Sequence, residues 1–97
     1  MNTAQLIATT LTAAAAASPK PIQPEALLDR EECLRRGYLG CRLIALVVYR
    51  LHTHHSMSLT LLSKALKLPW QTVYDRNNSG ALLRDKHPWK QTYLSLP

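Results

Sequence analysis

The side chains in this chain that could hold a metal or move a proton are His52, His54 and His55, Cys33 and Cys41, and the adjacent pair Glu31 and Glu32. His52 and His55 share a face on a helix, but no further ligands follow at a spacing that completes a tetrahedral site. Neighbouring residues on a helix point about 100° apart, so Glu31 and Glu32 do not converge on one substrate atom. There is no glycine-rich phosphate loop and no nucleophile elbow. No catalysis, metal or cofactor is expected. Recognition chemistry is better represented. Residues 58–97 carry six basic side chains (Lys64, Lys67, Arg76, Arg84, Lys86, Lys90) against Asp75 and Asp85, and so hold most of the net charge of +6. A positive region of that kind suits a polyanionic partner.

The elements that must position these groups follow from hydrophobic spacing and helix-end chemistry. Apolar residues make up 46% of the 97 and charged residues 19%, which is a folding composition and too apolar for a disordered chain. The longest apolar run, Leu43 to Tyr49, is flanked by Arg42 and Arg50 and is far short of the ~20 residues of a membrane span. Residues 15–18 resemble a signal-peptidase site, but Met1 to Leu11 contains no Lys or Arg, so a secretion signal is not expected. Cys33 and Cys41, eight residues apart along a helix, are too distant to bridge. A reducing, cytoplasmic and nucleoid-associated setting, away from membranes, is the expectation.

Residues 3–17 read as an Ala-rich helix capped by Asn2 or Thr3, too weak to stand alone in water. Three prolines within residues 18–24 form a linker. A second helix is expected from Pro24 to about 36, with Gly37 and Gly40 breaking the run. Residues 41–54 form the central core helix, with Leu43, Ile44, Val47, Val48 and Leu51 on one wide face. Ser58 caps a short helix to Lys67, and Pro69 opens another that ends near Asn78, at Ser79-Gly80. Residues 81–85 and 91–96 read as two short strands around Lys86-His87-Pro88-Trp89-Lys90. The expected fold is mainly α with a small C-terminal β-hairpin. Residues 1–36 form N-terminal helices that could serve dimerisation, and residues 37–97 form a second region.

The order helix, short helix, turn, helix, hairpin is that of a winged helix-turn-helix, and local residues extend the likeness. Ser58-Leu59-Thr60-Leu61-Leu62-Ser63-Lys64-Ala65-Leu66-Lys67-Leu68-Pro69-Trp70-Gln71-Thr72-Val73-Tyr74 resembles the helix-turn-helix of bacterial regulators of the MarR and IclR type. Gly80-Ala81-Leu82-Leu83-Arg84-Asp85 is similar to the start of their wing. The chain departs from that pattern in four places. Lys67 stands where the turn carries Gly, Ser63 where Ala is usual, Arg76 where many relatives are apolar, and only five residues separate Tyr74 from Gly80.

The resemblance implies a sequence-specific, double-stranded DNA-binding transcriptional regulator, a repressor acting as a homodimer. Gln71, Thr72, Asp75 and Arg76 would face the major groove: Gln71 pairing adenine, Arg76 guanine or phosphate, Asp75 accepting from cytosine or orienting Arg76. Ser58, Thr60, Lys64 and Lys67 would contact the backbone, and Lys86, His87 and Lys90 would sit at the wing tip. Trp70 and Trp89 read first as packing residues; Trp70 also opens the expected DNA face. Two other readings compete. One is a winged helix that binds protein, as an inhibitor or complex subunit. The other is a replication-initiator type of DNA-binding domain, since residues 42–75 faintly resemble the C-terminal domain of DnaA, though Pro69-Trp70-Gln71 replaces its expected "R-D-H".

Overall fold

The computed structural model describes residues 2–18, 22–29 and 39–97. Among these the chain is helical throughout, with no strand. Helix α1 spans Thr3–Ala16, a 3-10 turn covers Pro24–Leu28, and four further helices follow: α2 (Leu39–His54), α3 (Leu59–Leu66), α4 (Trp70–Leu83) and α5 (Trp89–Ser95). No helix among the described residues is long and apolar enough to cross a membrane. The second helix expected from Pro24 is instead a 3-10 turn that stops at Leu28, with Asp29 extended; the stretch beyond Asp29, with Cys33 and Gly37, lies outside the described residues.

Helix α1 begins where its end groups are satisfied. The Gln5 amide donates to the Asn2 side chain at 2.8 Å, and the Asn2 amide donates to the Gln5 side chain at 3.1 Å. This reciprocal pair closes off two amides that a helix otherwise leaves open. Ile7, Leu11, Ala14 and Ala15 form the buried stripe, and the buried Thr10 hydroxyl is satisfied by donating to the Leu6 carbonyl at 2.7 Å. The weak helix thus finds the support it needs, packing on α2 and the 3-10 turn.

Helix α2 is the hub on which every other helix packs. Leu43 to Val48 and Leu51 are all buried, so the helix is apolar nearly all round, as a central helix must be. Gly40 lies inside its first turn and is buried. The expectation that Gly40 interrupts the run is therefore corrected.

Helix α3 starts at Ser58, whose hydroxyl accepts from the Leu61 amide at 3.0 Å. It buries Leu62 and Leu66. Lys67 ends it in the left-handed region, φ 56° and ψ 42°, the conformation for which Gly is the usual choice. Ser63 ties that turn, its hydroxyl donating to the Leu68 carbonyl at 2.6 Å.

The largest correction concerns residues 77–97. The expected C-terminal β-hairpin, and with it the winged fold, is not formed. Helix α4 does not stop at Ser79-Gly80 but runs on to Leu83, and residues 91–96 fall in α5 and its C-cap. The reason lies in packing and propensity. Val73, Gly80 and Arg84 recur at helical spacing against α2. Residues 81–85 (Ala-Leu-Leu-Arg-Asp) hold good helix formers and no β-branched side chain. Trp89, Tyr93 and Leu96 stand at i, i+4 and i+7, a helical stripe that packs on the core. Residues 86–88 also lack the Asn-Gly or Asp-Gly pair that favours a tight hairpin.

Two arginines on α2 and α4 bind this tail region in place. Arg50 donates to the carbonyls of Pro97 (2.9 Å) and Leu96 (3.1 Å) and lies over the Tyr93 ring. Arg84 donates to the Tyr49 hydroxyl and covers that ring. At the close of α2, His52 donates to the Met57 carbonyl and His55 to that of Pro97. Two of the three clustered histidines therefore fasten loops to the helix end.

Candidate nucleic-acid interface

Helices α3 and α4 are joined by Lys67-Leu68-Pro69, and α4 packs on α2. The inner side of α4 is set by Val73 and Gly80, both buried. A Cβ placed on Gly80 would lie 2.5 Å from Tyr49 Cβ and closer still to the Ala45 carbonyl oxygen. The two helix backbones are therefore nearly in contact, and α4 has one possible rotation about its axis.

That rotation decides which side chains face outward. Trp70, Gln71, Tyr74, Asp75, Asn78 and Leu82 are exposed on one arc of α4. The rings of Trp70 and Tyr74 stack, with centroids 5.3 Å apart and planes 17° from parallel. Gln71 donates to the Asp75 carboxylate at 3.1 Å. The arc is thus a row of flat rings beside a row of amide and carboxylate groups, with no cation of its own.

The expected site residues divide into three groups. Trp70, Gln71 and Asp75 share the exposed arc, so Trp70 is not the packing residue first expected. Ser58, Thr60, Lys64 and Lys67 are exposed along α3 and its turn, although the Ser58 hydroxyl is already engaged in capping. Thr72 and Arg76 lie elsewhere. Both are half-buried and line a cavity on the α2 side of α4, where Arg76 donates to the Cys41 sulfur at 3.7 Å. Position 76 falls about 100° further round than Asp75, which takes its guanidinium off the arc.

Lys86 and His87 are exposed between α4 and α5, and Lys90 is exposed in the first turn of α5. With no hairpin they form no wing tip. Lys86 borders the flank of α4 that faces α2, beside Arg76 and Ser79. In chain order Lys64 and Lys67 precede α4, and Lys86 and Lys90 follow it. Sequence reasoning missed Tyr74, Asn78 and Leu82 as members of this surface. The i, i+4 relation of Tyr74 to Trp70 was the available signal.

No family profile, curated protein or solved structure matches the chain.

Proposed function

We propose that this chain binds duplex DNA through an unwinged helix-turn-helix, laying the outer arc of α4 in the major groove. The supporting observation is the arrangement around α4: a helix seated on α2 by Val73 and Gly80, with an exposed polar and aromatic arc and lysines before and after it in the chain. A major groove about 12 Å wide admits an α-helix and is bounded by phosphates on both sides. Lysines at the two ends of α4 suit such boundaries. Gln71 and Asn78 offer the amides that pair with adenine, and the Trp70–Tyr74 stack offers apolar contact to a thymine methyl. Arg76, held beside Cys41, takes no part in base reading.

Repression by a homodimer is the biological form proposed. One arc reads few base pairs, and two copies on half-sites a helical turn apart multiply specificity. The part of α1 free to meet a second copy is the outer face of Ala4, Ala8, Thr9, Thr12 and Ala16.

Selection from random duplexes, followed by binding measured across a salt series, tests this. The expected result is an enriched motif and affinity that falls steeply with salt. Gln71→Ala combined with Asn78→Ala is expected to cost about tenfold or more at the enriched site and little on random DNA. Failure to enrich any motif, with no salt dependence, would overturn the proposal.

A second reading has its own observation. Trp70 (46%), Tyr74 (41%) and Leu82 (67%) are large apolar side chains exposed on the same arc, a composition that also suits a protein partner. A predominantly apolar protein contact would tolerate salt, so the same titration separates the two.

A further inference from the structure

Two cavities meet at Cys41 and Arg76, on the flank of α4 that faces α2. The first, about 400 Å³, has an apolar wall of Leu27, Leu28, Ile44 and Leu68 facing a polar one of Thr72, Asp75 and Arg76. The second, about 360 Å³ and more open, is rimmed by Arg42, Arg76 and Lys86 above Ala45, Leu82 and Leu83. Three cations and no carboxylate line this second space among the described residues. Asp75 lies on the other cavity and is engaged by Gln71.

Among the described residues no carboxylate pairs with these cations. Arg42 stands over the Trp89 ring, 5.8 Å from its centroid. Arg76 has five N–H donors, and its acceptor among the described residues is a thiol sulfur, a weak one. The described ion pair, Arg84 with Asp85, involves none of the three. Charges of one sign gathered at a cleft attract a counter-ion, and guanidinium groups suit planar or tetrahedral oxyanions.

We propose that this groove binds a small organic anion, a phosphate or carboxylate on an apolar body. The charged end lies against Arg42, Arg76 and Lys86, and the apolar portion passes Cys41 toward the leucine-lined cavity. The volumes fall in the range of small-molecule sites. The inference does not depend on DNA binding: it rests on the flank of α4, although Lys86 and Leu82 border both surfaces.

Amide chemical shifts of the full chain, titrated with phenyl phosphate, benzoate, inorganic phosphate and phenol, test it. Saturable shifts at Cys41, Arg42, Ser79 and Leu83 are expected with phenyl phosphate or benzoate, and the stronger of the two identifies the head group. Inorganic phosphate is expected to bind more weakly, and phenol not at all. Arg42→Gln and Lys86→Gln alter exposed side chains, so the melting temperature should hold while affinity falls about tenfold for each. The proposal is overturned if neither organic anion gives saturable shifts, if phenol binds equally well, or if both variants bind unchanged. Shifts at these residues with duplex DNA but not with phenyl phosphate would assign the cations to nucleic-acid phosphates, and would overturn it too.

Discussion

Residues 58–76 and residues 77–97 are similar in length and composition, yet the first stretch is organised by local chemistry and the second by distant contact. In the first, each boundary has a residue beside it that explains it. Ser58 caps α3, Lys67 takes the left-handed turn, and Pro69 opens α4. In the second, Ser79-Gly80 has the composition of a helix end, but Gly80 is buried against Ala45 and Tyr49, which lie more than thirty residues earlier. The same residue type ends a helix in one setting and permits close helix packing in the other. Tertiary contact decides which, and it overrides the local preference.

Gly80→Ala is the sharpest way to break this comparison. If Gly80 were only a weak point in an exposed helix, Ala would stabilise the protein by about 1 kcal/mol. Because a Cβ there would collide with the backbone of α2, the expected result is a loss of about 3 kcal/mol, read as a fall in the urea midpoint. A stabilised variant would place Gly80 among the local signals after all.

Ser58→Ala acts on the local stretch and should cost about 1 kcal/mol, the usual loss for an N-cap. Hydrogen exchange at the Leu61 amide should quicken with it, because the cap bond is made to that amide. No change in either would mean that packing of Leu62 and Leu66, rather than the cap, starts α3.

The smallest effect is expected at Lys67→Gly. Glycine relieves the left-handed strain of about 1–2 kcal/mol but costs about 0.5–1 kcal/mol in extra chain freedom. A net gain of a few tenths of a kcal/mol in thermal or chemical unfolding is expected, together with weaker duplex binding from the lost charge. A clear loss of stability would show that the lysine side chain itself supports the turn.

What the sequence made legible follows the same division. Helices α1 to α4 each begin within two residues of their expected starts, because Asn2, Ser58 and Pro69 are local signals and the α2 stripe is strongly periodic. The end of α4 was hidden by Gly80, and the first two residues of α2 by Gly40, since a glycine does not announce whether it turns the chain or lets another helix approach. Helix α5 was written in the spacing of Trp89, Tyr93 and Leu96, but a period-2 pattern was read over it. The candidate interface was partly legible. Gln71 and Asp75 follow from the position of buried Val73 on α4, and so does the turn of Arg76 off the arc; that Cys41 meets it there depends on α2, which spacing within α4 cannot reveal.

The near-contact of backbones at Gly80 also bears on how a partner would meet this molecule. Helix α4 cannot roll or slide without lifting away from α2, so its outward groups keep their relative phase before any encounter. A partner of the kind proposed would meet groups already fixed in relative phase by one helix and lose less freedom to ordering on this side, a condition that favours association.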